Sequence, residues 1–70
     1  MATNQEALDA LIDTLHNGSH VVERVGAAEG LGIIGGEHVR AVLIKAMADA
    51  SHSEVRAAAA KALGQATLRE

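Results

Sequence analysis

The chain repeats itself at an interval of 32 residues, and this repeat restricts its possible folds more than any other feature. When residues 11–32 are placed on residues 43–64, nine positions are identical. These are Leu11-Ile12 on Leu43-Ile44, Ser19-His20 on Ser51-His52, Arg24 on Arg56, Ala27-Ala28 on Ala59-Ala60, and Leu31-Gly32 on Leu63-Gly64. A period of about 30 to 50 residues, long enough for one helical hairpin, is typical of a solenoid in which successive units stack.

The composition favours helices and leaves few other ways of stabilising a small fold. Of the 70 residues 49% are hydrophobic, and the chain has no proline, no cysteine and no aromatic residue. Alanine and leucine, which are abundant here, are strong helix formers. Without cysteine there is no disulfide, thiolate metal site or cysteine nucleophile. The sequence therefore predicts one all-α domain that is held together by aliphatic packing.

The spacing of apolar residues predicts four helices: three cover roughly residues 5–17, 21–34 and 37–50, and the fourth begins within residues 51–54 and runs to about residue 67. Thr3 with Glu6, and Ser51 with Glu54, have the spacing of capping boxes at the starts of the first and fourth helices. Gly18 is expected to end the first helix in a left-handed conformation. Short connections make successive helices antiparallel, so the chain divides into two hairpins: repeat one at about 4–35 and repeat two at about 36–68.

The second predicted helix differs from the others in its glycines. Gly26, Gly30 and Gly32 lie inside it, and each costs up to about 1 kcal/mol relative to alanine. Their presence predicts that another backbone approaches this helix closely. The apolar residues of the same helix cover more than one stripe, so we expect it to pack on two sides.

The segment 53–64 reads Ser-Glu-Val-Arg-Ala-Ala-Ala-Ala-Lys-Ala-Leu-Gly, and residues 23–32 are a looser copy of it. This pattern resembles the second-helix signature of the short HEAT-like repeats found in phycobilisome lyases and many small prokaryotic proteins. The resemblance covers nearly the whole chain and implies a short α-solenoid of two stacked hairpins. The chain departs from that pattern before each second helix, where Gly-Ser-His and Ser-His-Ser replace the usual Asp-Pro turn.

The signature also suggests roles for individual side chains. Val55 and Leu63 are expected to pack against the first helix of their own repeat. Ala59 and Ala62 are small enough to let the neighbouring hairpin approach. Arg24 and Arg56 are expected to bond across the turn to the next repeat, the alternative being that these arginines are solvated. All of these roles are structural.

No pattern in the sequence predicts catalysis, and we expect neither a metal nor another cofactor. The four histidines lie near turns or helix starts and are interpreted as surface or capping residues: His16, His20, His38 and His52. Residues 24–34 are similar to a segment of the HEAT-repeat di-iron hydroxylases that modify deoxyhypusine. That family places a His-Glu pair after the arginine, whereas this chain has Val25-Gly26 and Ala57-Ala58, which cannot bind iron.

The charge argues against nucleic acid as a partner. The net charge is −3, and no aromatic side chain is present on which bases could stack. Residues 1–35 carry a net charge of −4 and residues 36–70 a net charge of +1. No apolar run approaches the roughly 18 residues of a membrane span, and no leader pattern opens the chain. We therefore expect a cytoplasmic protein that binds neither nucleic acid nor membrane.

These observations predict a non-catalytic protein–protein interaction or scaffold module. Two repeats fall short of the three or so that independent stability usually requires, so we expect a homodimer, or else a piece of a longer repeat array. The alternative is an accessory subunit or fragment of a bilin lyase-like chromophore-attachment factor. The residues expected at the interface are Val21, Val22, Val25 and Leu31 at one end and Val55, Leu63 and Leu68 at the other.

Overall fold

The computed structural model describes residues 2–68, most of which lie in four α-helices. The helices are α1 (Asn4–Asn17), α2 (Val21–Ile34), α3 (Glu37–Asp49) and α4 (Ser53–Thr67). This range contains no strand, and the predicted all-α fold of two helical hairpins is confirmed. No helix between residues 2 and 68 is both long and apolar enough to cross a membrane.

The first helix begins with the predicted capping box. The Glu6 N–H donates to Thr3 Oγ1 at 3.1 Å, and the Thr3 N–H donates to Glu6 Oε1 at 2.8 Å. At the other end the prediction for Gly18 is wrong, because its φ is −56° rather than positive. Glycine is needed there for space: a Cβ on Gly18 would lie 2.7 Å from the carbonyl oxygen of Thr14.

The capping box predicted at the start of α4 is also wrong. The N-cap is His52, so Glu54 is the second helical residue and is one position short of reaching back to the cap. The Glu54 carboxylate accepts instead from the Ser53 hydroxyl at 3.3 Å. In α2 the same cap position is occupied by His20, and there Glu23 does reach back: its Oε1 accepts the His20 N–H at 3.1 Å.

The two hairpins, α1–α2 and α3–α4, meet mainly through their second helices. The most extensive helix contact in the fold is between α2 and α4, and we call it the seam. Since α2 also packs against α1 and α3, it has neighbours on more than one side, as its broad apolar surface predicts. The helices α1 and α3 do not pack closely against each other.

The core is built largely from alanine, which keeps the helices close together. Among its members Leu31, Leu43, Val39 and Val55 are the largest side chains that are fully buried. The remaining buried hydrophobic residues are Leu15, Ala27, Ala28, Ala46, Ala58, Ala59, Ala62 and Ala66. Small side chains give little hydrophobic stabilisation each, so the fold depends on close helix approach over its whole length.

The closest helix approach lies in the seam, at Gly32. A Cβ on Gly32 would lie 2.8 Å from both the Cβ and the carbonyl oxygen of Ala62. The predicted backbone contact is therefore present at Gly32, and Ala62 has its predicted role. The prediction is wrong for the other two glycines of α2: Gly30 faces the Leu11 side chain, and Gly26 has open space around it.

Two adjacent glycines make the turn between the repeats. Gly35 has a φ of 71° and Gly36 a φ of 94°. Within residues 2–68 these are the only positions with positive φ, a conformation that side chains with a Cβ rarely adopt. The turn that sets repeat two beside repeat one therefore requires glycine at both positions.

Candidate functional site

The residues expected at an interface differ in exposure: some are exposed, some are half-buried, and two, described in the next paragraph, are fully buried. Val22 and Leu68 are exposed, at 75% and 85% of their surface. Val21, Val25 and Leu63 are half-buried against the core. Val22 and Leu68 are therefore free to meet a partner, whereas the half-buried three present only part of their surface.

The expectation that Leu31 and Val55 lie at the interface is wrong. Their exposed fractions are 0% and 1%, so neither side chain is available to a partner. The physical reason is that α2 and α4 each have more than one apolar stripe, and these two residues lie on the stripe that faces the core. Val55 packs in the interior, as the HEAT-like signature implies.

The two equivalent arginines bind within their own repeat, so the expectation of an inter-repeat bond is wrong. Arg24 Nε donates to the carbonyl oxygen of Gly18 at 2.7 Å, and the Arg56 guanidinium donates to the carbonyl oxygen of Ala50 at 2.7 Å. Each bond reaches back six residues, to the turn between the two helices of the same hairpin. Each arginine thus ties its second helix to the turn that precedes it.

We expect Arg24→Met and Arg56→Met each to lower the free energy of unfolding by about 1 kcal/mol. Methionine keeps an apolar stem but leaves a turn carbonyl without its charged donor. Urea denaturation measures the loss, and amide hydrogen exchange locates it in residues 18–20 or 50–52. Lys61→Met, at an exposed position of α4, is the control. Unchanged stability in both arginine variants would mean that these bonds do not hold the turns.

The histidines are exposed, and two of them sit at helix starts. His20 and His52 are the N-cap residues of α2 and α4, and each Nδ1 lies close to the hydroxyl of the preceding serine, at 3.3 Å and 3.1 Å. Ser19 also donates to Glu23, whose carboxylate lies 3.8 Å from the same His20 Nδ1. A catalytic triad needs the serine and the acid on opposite nitrogens of the imidazole, so this cluster does not form one.

No group of three or more His, Asp or Glu side chains in the described part of the chain is placed to hold a metal ion. His16 and His38 lie on different helices, α1 and α3, and both are exposed. His20 and His52 begin separate helices of the seam. His20 and His52 thus occupy N-cap positions, and all four histidines are exposed.

A groove of about 240 Å³ lies between the two hairpins on the side of α1 and α3. It is lined by Leu15, His16, Arg24, Lys45, Ala46, Asp49, Ala50 and Ser51. Lys45 Nζ lies 3.6 Å from Asp49, and the C-terminal ends of α1 and α3 both border the groove. The positive charges of Arg24 and Lys45 are thus balanced by the Asp49 carboxylate and by the partly negative C-terminal ends of the two helices. The groove therefore has little net charge with which to attract a charged ligand.

Hydrogen bonds at the start of α2 lower the pKa of Glu23. The main cause is the bond from the His20 backbone N–H, to which the nearby His20 ring and the Ser19 hydroxyl add. Because the folded state holds this carboxyl ionised below its ordinary pKa of 4.5, the contribution to stability is complete above that pH. It is lost as the pH falls through the lower folded-state value.

We therefore expect Glu23→Gln to remove one component of acid denaturation. Below pH 4.5 the wild-type chain loses the stability that the ionised Glu23 provides, whereas the variant has none to lose. The difference between their free energies of unfolding should be largest near neutral pH and shrink on acidification. Urea denaturation at several pH values measures this difference. A difference that stays constant over the acid range would contradict the assignment.

Arg40 is a residue that sequence reasoning did not single out. One terminal nitrogen of its guanidinium is buried and has no hydrogen-bond partner among the described residues. The position lies on α3 and corresponds to Leu8 in repeat one, where the side chain packs against the core. In the sequence, the only sign that this position is unusual is that repeat two has an arginine where repeat one has a leucine.

The exposed aliphatic residues of α3 were missed as well. Ile44 is 55% exposed and Met47 is 41% exposed. Their equivalents in repeat one are Ile12, which is partly buried, and Leu15, which is 3% exposed. The same side of the hairpin is therefore covered in repeat one and open in repeat two.

Comparison with known proteins agrees with this architecture. A family model described as HEAT repeats matches residues 2–66, a range that includes both hairpins. The match does not distinguish the phycobilisome-lyase type from other HEAT-like repeats. No curated protein and no solved structure shows significant similarity to the chain.

Proposed function

The chain belongs to the HEAT-repeat family, and on that basis we propose that it is a non-catalytic protein-interaction or scaffold module that associates with itself. HEAT repeats generally serve protein–protein interaction, because their aligned helices present an extended surface. The partner class is therefore protein, and a second copy of the chain is the partner that its surface supports best.

The observation that carries this proposal is the amount of aliphatic surface left open. In residues 2–68 twelve hydrophobic residues are buried, while six large ones remain exposed. The exposed residues are Val22, Ile33, Ile34, Ile44, Met47 and Leu68. Where such residues lie together, as Ile44 and Met47 do one turn apart on α3, exposed apolar surface marks an interaction site.

The absence of a reactive cluster among the described residues supports a binding role. The serine, histidine and carboxylate at the start of α2 are exposed and lack the geometry of a triad. The groove between the hairpins brings together cations with one carboxylate, but it contains no nucleophile beside a base that a third group orients.

Native mass spectrometry and sedimentation velocity over a concentration series test the proposal. We expect a reversible monomer–dimer equilibrium between low micromolar and near-millimolar concentration. A chain that stays monomeric over the whole series would overturn self-association. Because the chain has no Trp or Tyr, sedimentation should be followed by interference optics.

The chromophore-attachment alternative rests on the sequence resemblance alone. Titration of the purified chain with a free bilin, followed by absorbance, tests it directly. We expect no change in the bilin spectrum, because the groove between the hairpins is small and lined by several charged groups. A shift in the bilin spectrum that saturates at one bilin per chain would instead support the alternative.

A further inference from the structure

One side of repeat two exposes aliphatic and small residues from both of its helices. We call this surface the end face; it comprises Ile44 and Met47 on α3 and Ala57, Ala60 and Gly64 on α4. All five residues are exposed, and a Cβ on Gly64 would meet nothing within 4 Å. Leu68, which is 85% exposed, lies one helical turn beyond Gly64.

The repeat shows what kind of surface the end face is. Every one of its residues has an equivalent in repeat one that is buried or half-buried: Ile12, Leu15, Val25, Ala28 and Gly32. In repeat one the α2 part of this side includes Gly32, where α2 packs most closely against α4. The end face is therefore the uncovered copy of a surface that the same fold covers elsewhere.

We propose that the end face binds the end face of a second copy, so that two chains pair about a two-fold axis that lies between their α4 helices. This inference rests on the proposed self-association and assigns it to one surface. Ala57, Ala60 and Gly64 are spaced along one side of α4, and their size lets two α4 helices approach as closely as α2 and α4 do at Gly32. Ile44 and Met47 then become covered by the partner.

The opposite end of the molecule does not suit the end face as a partner. Val55 in repeat two is 1% exposed, whereas its equivalent in repeat one, Glu23, is exposed. Head-to-tail stacking of copies would place the Glu23 carboxylate where repeat two buries a valine. Burial of an unpaired charge is strongly unfavourable.

The halves that meet in this pairing carry little net charge. Repeat two carries a net charge of +1 in residues 36–70, whereas residues 1–35 carry −4. Joining the end faces places the two weakly charged halves together and the two acidic halves at opposite ends. The contact is self-complementary and closes at two copies, whereas head-to-tail stacking would continue without limit.

The first test is Ala60→Glu, which puts a charge at the centre of the end face. Ala60 is exposed in the single chain, so the substitution should preserve helicity by circular dichroism while raising the dimer dissociation constant at least 100-fold, as measured by sedimentation velocity. The matched control is Ala41→Glu, at an exposed alanine of α3 outside the end face, which should dimerise like the wild type. Ile34 is exposed in repeat one, whereas its repeat-two equivalent, Ala66, is buried, so Ile34→Glu probes the side of repeat one away from the end face and should also leave the dimer intact.

A second test uses the absence of cysteine from the wild-type chain. A single cysteine near a two-fold axis can form a disulfide with its own copy. We expect Ala60→Cys to give a covalent dimer on mild oxidation and Ile34→Cys to give none. Head-to-tail stacking would require two different cysteines and would not link Ala60→Cys to itself.

The outcomes separate this inference from the proposed function. A wild-type chain that never dimerises overturns both. A wild-type dimer that survives Ala60→Glu, or that dissociates with Ile34→Glu, leaves self-association intact and overturns the assignment to the end face. A series of species that grows beyond the dimer also overturns the two-fold pairing.

Discussion

Leu31→Ala is expected to leave the chain largely unfolded in water at room temperature. Leu31 is fully buried on α2, the helix that contacts all three others. Truncation of a buried leucine to alanine costs about 2–5 kcal/mol, because the lost contacts add to the cavity left behind. A single core of this size supplies no more than about 3–5 kcal/mol in total. Far-UV circular dichroism should therefore show loss of most of the helical signal.

Val22→Ala is the matched control for the core substitution. It removes methyl groups from the same helix at a position that is 75% exposed, so its effect should stay within about 0.5 kcal/mol. If Leu31→Ala kept the helical content and melting behaviour of the wild type while weakening self-association, Leu31 would be an interface residue after all. The two variants thus separate a core role from a surface role for apolar residues of one helix.

Gly32→Ala should destabilise the chain, whereas the same change at Gly64 should stabilise it. In an open helix position the exchange is worth about 0.5–1 kcal/mol in favour of alanine. At Gly32 the new Cβ would lie 2.8 Å from the Ala62 carbonyl oxygen, and helix backbone cannot yield as a flexible side chain can. Overpacking of this kind costs typically about 1–3 kcal/mol, so the net effect changes sign.

Thermal and urea denaturation of the two variants at low protein concentration measure this difference. Gly64→Ala is matched to Gly32→Ala by the repeat, and Gly26→Ala provides a second open position on α2 itself. Both controls should melt at or above the temperature of the wild type. A stabilised Gly32→Ala variant would mean that α2 and α4 can separate without loss, contrary to the closeness of the seam.

The architecture could be predicted from the sequence because its signals are periodic and local. The 32-residue repeat and the HEAT-like signature of residues 53–64 predict two helical hairpins, and the helix bounds follow from apolar spacing. The Thr3–Glu6 capping box was predictable for the same reason, since it depends on residues three positions apart. Features set by nearby residues are within the reach of sequence reasoning.

Features that change when a helix starts one residue earlier or later, or that depend on tertiary contacts, were not predictable from the sequence. Ser51 and Glu54 have capping-box spacing, but α4 begins at Ser53, which leaves Glu54 one place too early. Gly18 and Gly32 both need to be glycine for lack of space, yet the sequence suggested conformation as the reason for Gly18. Which atoms crowd a glycine is decided by tertiary contacts that the sequence does not display.

The candidate site was only partly predictable. Val22 and Leu68 were expected to be available to a partner and are exposed, whereas Leu31 and Val55 are in the core. Apolar spacing cannot distinguish the stripe that packs inside a hairpin from the stripe that faces outward when a helix has both. The arginine pair shows the same limit: the repeat spacing marks Arg24 and Arg56 as equivalent, but it does not show that each hydrogen-bonds to its own turn.

The seam between α2 and α4 also determines how the chain folds. Each hairpin is closed by helices that are neighbours in the sequence, so its contacts form early and at little cost in loop entropy. The seam joins positions as distant as Gly32 and Ala62, and it holds most of the close packing between the hairpins. Outside the seam, the two hairpins have no other extensive contact with each other. We therefore expect fast folding in a single kinetic phase, with docking of α2 on α4 as the rate-limiting event.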